Sequence, residues 1–186
     1  MRDPYLYETI NVLRNKLNIQ DEELLDRAES DITYIKLASV EELTTDSFDI
    51  AFLKKIHRYI FEDLYDWAGN FRTIEMVKGE RVLGGDTVRY SHPDNIESEC
   101  VVVLKRINSV DWKKLSIKET AEKFAKLISN LWQIHPFREG NTRTVITFAT
   151  LFAVSHSFAM DKQLLKDSAS YVRDALVKAS DGEYSD

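Results

Sequence analysis

Apolar residues recur every three or four positions along most of the chain, which is the period of an α-helix with one buried face. This pattern predicts a first helix from about Asp21 to Leu37 and a second from about Asp49 to Tyr65. Asp21 is of a type that often caps a helix N-terminus, because its carboxylate accepts a free backbone N–H. The first third of the chain therefore indicates a helical protein.

The helical period returns in the second half of the chain. It predicts helices from Pro93 to about Asn108, from Ser116 to about Gln133 and from about Asn141 to Ser157. The second of these opens with a capping box, Ser-Ile-Lys-Glu, and the third is apolar on nearly every side, so we expect it to be central. One or two further helices are expected from about Lys162 to Lys178.

The stretch between Gly69 and Ser91 has a different pattern. Its first part, FRTIEMV, is rich in β-branched and aromatic residues, and Lys78-Gly79 and Gly84-Gly85 are turn signals before a short return strand, TVRY. These features predict a β-hairpin, or flap, from about Thr73 to Tyr90. The expected fold class is therefore all-α, as a helical bundle around one central helix, with one small β-hairpin.

Composition limits what such a fold can do. A chain of 186 residues, 44% hydrophobic and 30% charged, predicts a single globular domain over residues 1–186. The net charge of −6 argues against binding nucleic acid or an acidic membrane through bulk charge. No signal-peptide pattern or bilayer-length apolar stretch is present, so we expect a cytoplasmic protein, with secretion as an effector left open.

The single cysteine and three of the four histidines are expected to be structural. Cys100 lies in an apolar run, ECVVVL, which is typical of a packed thiol. His57 lies on an amphipathic helix, His92 follows the flap, and His156 lies near the negative end of the central helix.

The fourth histidine begins the stretch HPFREGNTRT, from His135 to Thr144. The first N–H groups of a helix have no internal partner and lie at the positive end of its dipole, so a Gly-Asn pair entering a helix favours an anion. Gly140 allows the backbone to approach a ligand, Asn141 can cap the helix or donate to an oxygen, and Arg143 can bind the same anion. The expected anion is a phosphate.

Glu139 suits such a pocket only with a cation, because a carboxylate repels a phosphate. Mg²⁺ typically takes one or two carboxylates together with phosphate oxygens. The unperturbed pKa of a histidine suits His135 to act as a base near neutral pH. These residues predict transfer of a phosphate-containing group from a nucleotide to a hydroxyl. They fit equally well a plain helix-loop-helix in which Glu139 and Arg143 form a solvated pair and Asn141 is only a cap.

The stretch HPFREGNTR resembles the signature of the Fic (filamentation induced by cAMP) family, HPFx[D/E]GN followed by a small residue and Arg. The matching residues are His135, Pro136, Phe137, Glu139, Gly140, Asn141 and Arg143. The stretch from Ile56 to Thr73, IHRYIFEDLYDWAGNFRT, resembles the helix and Trp-Ala-Gly turn before the flap in this family. The likeness extends from about Tyr34 to Tyr184, which leaves residues 1–20 as an N-terminal extension packed on a Fic core.

The resemblance implies a protein adenylyltransferase, which moves AMP from ATP to a Ser, Thr or Tyr hydroxyl of a target protein and releases pyrophosphate. His135 would be the base that deprotonates the hydroxyl, and Glu139 would hold Mg²⁺ against the phosphates. Phe137 would anchor the loop in the core. The implied nucleotide-binding residues are Gly140, Asn141, Thr142 and Arg143.

Two positions depart from the family pattern. Many members have Gly where this chain has Thr142, and many have a second Arg where it has Ile146, so one expected phosphate contact is missing. The Doc-like relatives, which phosphorylate their targets, carry Lys at the position of Thr142, so AMP transfer is favoured here. Two further alternatives remain open: removal of AMP from a modified protein, and nucleotide or partner binding without turnover.

The resemblance also implies partners. In the family, a target segment pairs with the flap as an added strand, and Val82 and Leu83 are candidates to clamp its side chain. The same two residues fit the core of the hairpin equally well. The sequence leaves a homo-oligomer open.

Regulation in the family often involves an inhibitory helix marked [S/T]xxxE[G/N]. No Ser or Thr of this chain has a Glu four residues later, and Ser180 to Ser185, SDGEYS, has the wrong spacing. Three explanations compete: a separate antitoxin-like protein, a C-terminal inhibitory helix absent from this chain, or a different mode of regulation. Of these, the sequence slightly favours the absent helix.

Overall fold

A computed structural model describes residues 2–158 and 160–180, which form seven α-helices. The stretch from Ser180 to Ser185 and the end of the expected Fic core at Tyr184 lie almost wholly outside the described residues. The helices are α1 Glu22–Ala38, α2 Ile50–Phe61, α3 Ile96–Ser109, α4 Ile117–Ile134, α5 Asn141–Ser155, α6 Lys162–Asp167 and α7 Ala169–Ala179. The predicted all-α fold class is confirmed, and the two last helices occupy the stretch where one or two were expected.

Side-chain caps begin four of these helices, including α6, where Asp161 accepts the Leu164 N–H. The carboxylate of Asp21 accepts the backbone N–H of Leu24 at the start of α1, and Asp49 does the same for α2. Ser116 and Glu119 form the predicted capping box at the start of α4. Each cap satisfies N–H groups that the first turn of a helix leaves free, so the polar residue types fix where each helix begins.

Helix α5 lies at the centre of the bundle, between α2 and α4. Its apolar side chains Val145, Phe148, Ala149 and Phe152 are 0% exposed. Phe48, just before α2, packs edge-on against Phe148 and Phe152. Because the core surrounds α5, the loop that enters this helix is held on a rigid support.

The flap differs in detail from the predicted hairpin. Within residues 69–91 no strand is paired, although the chain folds back where the Glu80 N–H donates to the Asp86 carbonyl at 2.8 Å. Side chains alternate between partly buried and exposed from Thr73 to Gly79, which is the period of a strand and explains the prediction. The two arms form no ladder of backbone hydrogen bonds because side chains bind some of the backbone groups. The Lys78 N–H, for example, donates to Thr87 Oγ1 at 3.2 Å.

The N-terminal segment before α1 lies against the body of the protein. The Lys16 N–H donates to the Leu64 carbonyl at 2.8 Å, and the Thr73 N–H donates to the Tyr5 hydroxyl at 3.1 Å. Asp3 forms an ion pair with Arg138 at 2.7 Å. This segment therefore contacts both the flap and the loop before α5. Among the described helices, none has the length and apolarity that crossing a membrane requires.

Candidate active site

Arg72 organises the loop between α4 and α5. Its buried guanidinium donates to the His135 carbonyl at 2.8 Å and to the Ser91 carbonyl, and its backbone N–H donates to the Pro136 carbonyl at 2.8 Å. Buried carbonyls need such donors, so one side chain holds the loop and the end of the flap together. Sequence analysis gave Arg72 no role, although it lies inside the stretch that resembles the family.

His57, on α2, supports the same loop through hydrogen bonds and ring stacking. Its Nδ1 accepts the Gly69 N–H at 2.8 Å, so its Nε2 carries the proton and donates to the Glu139 carbonyl at 3.1 Å. The ring of Phe137, which is 0% exposed, stacks on the imidazole with centroids 3.9 Å apart. His57 thus connects α2, the Trp-Ala-Gly turn and the loop, and Phe137 lies where a core anchor has to lie.

Acid is expected to destabilise the protein through its buried imidazoles. Burial lowers the pKa of His57 to about 3, and burial also lowers the pKa of His135 well below its usual value. In the unfolded chain both imidazoles bind a proton below about pH 6.5, whereas in the folded protein burial keeps them neutral. The folding stability that depends on them is therefore complete above pH 6.5 and is lost as the pH falls from 6.5 towards 3. Each imidazole can contribute a slope of up to about 1.4 kcal/mol per pH unit.

Urea unfolding at pH 7, 6 and 5 measures this slope. The His57→Gln variant should be less stable at pH 7 and lose less stability on acidification than the wild type. His92→Gln, at a half-exposed position, is the matched control and should keep the wild-type slope. Equal slopes in the wild type and His57→Gln would contradict the expectation.

The turn into α5 is built by Gly140 and Asn141. Gly140 is the N-cap residue with φ 76, in the left-handed region that favours glycine. Asn141 does not cap the helix, so the expectation of a side-chain cap is wrong. Its amide instead accepts the Phe137 N–H at 2.9 Å and donates to the Phe137 carbonyl at 2.7 Å, which closes the loop. Asn141 can therefore offer a ligand its backbone N–H, in the free first turn of α5.

His135 ends α4 in a left-handed conformation, with φ 52, and its side chain is 4% exposed. The Tyr90 ring stacks on the imidazole with centroids 4.1 Å apart, and the Trp132 ring meets it edge-on. Among the described residues, neither imidazole nitrogen has a hydrogen-bond partner. Burial and the charges of Lys78 and Arg72 lower the pKa of His135, so the imidazole is neutral near pH 7.

The Glu139 carboxylate lies beside His135 and contacts a flap residue. One oxygen accepts the Gly140 N–H at 2.9 Å, and the other forms an ion pair with Lys78 at 3.2 Å. Burial raises the pKa of Glu139, but the Lys78 charge and the Gly140 N–H outweigh it and hold that pKa below its ordinary value. The carboxylate is therefore ionised and lies next to a cation.

Arg143 points from the first turn of α5 towards α1. Its guanidinium forms an ion pair with Glu29, donates to Thr33 Oγ1 at 2.9 Å and lies over the Phe61 ring. Thr142, beside it, accepts the indole N–H of Trp132 at 2.9 Å. Arg143 contacts a carboxylate here, so binding of a phosphate by this side chain stays a prediction.

The loop, the flap and α7 enclose one polar cavity of about 220 Å³. Its lining residues are Lys78, His135, Glu139, Gly140, Asn141, Thr142, Arg143 and Arg173. Six of the eight were singled out from the sequence as site residues. Lys78 and Arg173 were missed, because their distance from the motif along the chain gave no signal that the fold brings them there.

The remaining candidates lie away from this cavity. Val82 and Leu83 form a short 3₁₀ turn, half-buried against the core, so their role as a target clamp stays a prediction. Cys100 is a buried free thiol whose pKa is raised to about 12 by burial, which is the expected packed thiol. His156 stacks on Phe152 in the core.

The chain belongs to the Fic/DOC family, whose model matches residues 47–153, more than half of its length. A probable protein adenylyltransferase, y4lH of Sinorhizobium fredii, is 31% identical over 98% of this chain and 91% of that protein. A probable protein adenylyltransferase Fic of Escherichia coli is 26% identical over 90% of this chain and 80% of its own length. The family resemblance drawn from the sequence is thereby confirmed.

Solved structures show the same fold. The crystal structure of BepC, a VirB-translocated effector protein of Bartonella tribocorum with bound AMPPNP, superposes with a TM-score of 0.80 at 23% identity. The match covers 97% of this chain and 90% of that chain. The helical arrangement around α5 is therefore the Fic fold.

Proposed function

We propose that this protein is a protein adenylyltransferase, which transfers AMP from ATP to a hydroxyl group of a target protein. The observation that carries the proposal is the cavity of about 220 Å³, which places a neutral imidazole, an ionised carboxylate and the first turn of α5 together. Pockets for whole small molecules typically measure about 300–1,000 Å³, so this cavity suits the phosphate groups and not the entire nucleotide. Relatives across nearly the whole chain carry the name of this activity.

In the proposed reaction, the hydroxyl oxygen of the target forms a bond to the α-phosphorus of ATP. The bond from that phosphorus to the bridging oxygen breaks, pyrophosphate leaves, and His135 accepts the hydroxyl proton. The lowered pKa of His135 keeps its imidazole unprotonated for this task. Because the Tyr90 ring covers the imidazole, the end of the flap has to shift before a hydroxyl can reach it.

Backbone N–H groups at the start of α5 are proposed to bind the phosphates. Asn141, Thr142 and Arg143 supply N–H groups of this turn, and its dipole favours negative charge. The Gly140 N–H donates to a Glu139 oxygen, so this contact has to open for Gly140 to bind a phosphate. Gly140 lets the turn adopt its left-handed entry, and Asn141 holds the loop closed. The site therefore binds charge through fixed dipoles that need no rearrangement during the reaction.

Glu139 is proposed to hold Mg²⁺ together with the nucleotide. No cluster of three or more His, Cys, Asp or Glu side chains suited to a metal occurs in the part of the chain that the structure describes. A single ionised carboxylate fits Mg²⁺ that also takes phosphate oxygens and water. Bound there, Mg²⁺ would neutralise charge on the phosphates. Lys78 contacts one Glu139 oxygen, so this ion pair has to open as the metal binds.

The first arm of the flap is proposed to dock the target. From Glu75 to Gly79 the chain forms no helix and no paired strand, and Val77 is 80% exposed. An added target strand would satisfy these backbone groups, which is a recurring recognition mode. Val82 and Leu83 would then approach the target side chain from the turn.

A labelled-nucleotide experiment tests the activity. With Mg²⁺ and ATP labelled on the α-phosphate, the purified protein should transfer label to itself or to proteins of a lysate, whereas ATP labelled on the γ-phosphate should transfer none. Phosphorylation gives the opposite result, which Thr142 disfavours. Chelation of Mg²⁺, or Glu139→Gln, should remove most of the transfer.

The proposal fails if neither label reaches protein under conditions in which the wild type binds ATP. A transfer that survives both chelation and Glu139→Gln would overturn the metal role alone. Glu122→Gln, an exposed substitution on α4, serves as the matched control for loss of a carboxylate.

Regulation and location complete the proposal. Three modes of regulation stay predictions: an antitoxin-like partner, a C-terminal inhibitory helix that this chain does not contain, and a different mechanism. The buried, unpaired thiol of Cys100 is compatible with the reducing conditions of a cytoplasm.

A further inference from the structure

Arg173 brings a cation into the active-site cavity from a part of the chain remote from the motif. It lies on α7, and its side chain lines the cavity with Lys78 and the loop before α5. The positive charge of Arg173 acts on His135, where it is one of the causes that lower the imidazole pKa. The guanidinium is therefore close to the reacting centre.

A buried carboxylate fixes the orientation of this guanidinium. Glu80, which is 1% exposed, accepts from both terminal nitrogens of Arg173, at 2.7 and 2.8 Å. Glu80 also accepts a hydrogen bond from the hydroxyl of Tyr90 at 3.2 Å. Tyr90 is the residue whose ring covers His135. Such a two-point contact holds an arginine in one plane.

The contact with Glu80 does not exhaust the donors of Arg173. A guanidinium has five N–H groups, and the bonds to Glu80 use one on each terminal nitrogen. The side chain remains 41% exposed, and it lines the cavity. The other two cations of the cavity contact Glu139 and Glu29, so all three are held by carboxylates from different parts of the chain.

We propose that Arg173 binds a phosphate group of the nucleotide, with Glu80 holding its guanidinium in place. This inference rests on the proposed function, because it takes the ligand of the cavity to be a nucleotide. Arg173 is thereby a binding residue as well as the link between α7 and the flap.

The test has to separate phosphate binding from the structural link. Arg173→Gln alone would leave the buried Glu80 charge without its partner, which can unfold the flap. The double variant Glu80→Gln with Arg173→Gln removes both charges and keeps two side chains that can hydrogen-bond. Glu80→Gln alone removes the carboxylate charge but keeps the guanidinium and an amide oxygen that can still accept a hydrogen bond from it.

Equilibrium binding of ATP and of inorganic pyrophosphate, measured by calorimetry, gives the readout. We expect the double variant to bind both ligands about 10- to 150-fold more weakly, which is the contribution of a hydrogen bond to a charged group. Glu80→Gln alone, which keeps the guanidinium and one oxygen that can accept from it, should bind both ligands more tightly than the double variant. Arg81→Gln, which breaks the neighbouring ion pair between the flap and Asp174 of α7, is the matched control and should bind like the wild type.

A purely structural role predicts a different pattern. Glu80→Gln and the double variant would then weaken binding equally, and that result would overturn the proposal, as would wild-type affinity in the double variant. Thermal melting of each variant shows whether it is folded. If the wild type binds ATP but transfers no AMP, the proposed function fails while the role of Arg173 stands, and if it binds neither ligand, both fail.

Discussion

Replacement of His135 by asparagine is expected to reduce AMP transfer by about 10²- to 10⁴-fold, the usual contribution of a general base. Asparagine tolerates the left-handed backbone of this residue, where φ is 52, so the loop should keep its shape. Because neither ring nitrogen has a partner among the described residues, the substitution breaks no hydrogen bond there. Initial rates of label transfer from α-labelled ATP measure the loss.

Nucleotide binding provides the control for this variant. The affinity for ATP should change little, since the phosphates are proposed to contact the start of α5 and not the imidazole. His92→Asn, at the exit of the flap, is the matched substitution and should keep wild-type rates. A His135→Asn protein that retains full activity while folded would exclude His135 as the base.

Gly140→Ala should have the largest effect on stability. An added Cβ would lie 2.1 Å from the ring of Phe61, which is 0% exposed and has no room to move away. The left-handed backbone, at φ 76, costs an alanine about 1–2 kcal/mol, and overpacking a core typically costs about 1–3 kcal/mol more. Urea unfolding is therefore expected to show a loss of about 2–5 kcal/mol, with loss of ATP binding.

Gly84→Ala separates the two causes of that loss. Gly84 also has a left-handed backbone, at φ 68, but nothing lies within 4 Å of an added Cβ. Its variant should lose only about 1–2 kcal/mol, from the backbone term alone. Equal losses in the two variants would show that contact with Phe61 contributes nothing.

Helix positions were predictable because the residues that decide them are local. The first helix was expected from Asp21 to Leu37 and spans Glu22–Ala38, since a capping side chain marks its start. The second was expected to reach Tyr65 but ends at Phe61. Leu64 and Tyr65 are buried in the turn that follows, so the apolar pattern continues after the helical backbone has stopped.

The flap shows where local pattern fails. The β-branched and aromatic residues of FRTIEMV predicted a paired strand, and the structure has alternating exposure from Thr73 to Gly79 without the pairing. Arg72, next to the flap, donates to the carbonyls of Ile74 and Ser91, which a ladder would otherwise use. A single buried arginine with backbone partners on several elements cannot be inferred from spacing along the chain.

The candidate site was predictable as far as its contiguous motif extends. His135, Glu139 and Gly140 meet in one cavity because they share a loop. Lys78 and Arg173 reach the same cavity through the flap and α7, which only tertiary packing brings together. Ile146 stands where many family members have a second arginine, so the sequence predicts the loss of one phosphate contact. Arg173, on α7, is proposed to provide a cation for the phosphates instead.

Burial of the His135 imidazole beneath Tyr90 also bears on how ATP is spared between targets. Water also carries O–H groups, and a base exposed to solvent would deprotonate water and promote hydrolysis of the nucleotide. With the imidazole only 4% exposed, water has almost no access to the base while the flap is in place. If His135 is the base, as proposed, the rings of Tyr90 and Trp132 that cover it would limit wasteful hydrolysis without distinguishing water chemically from a protein hydroxyl.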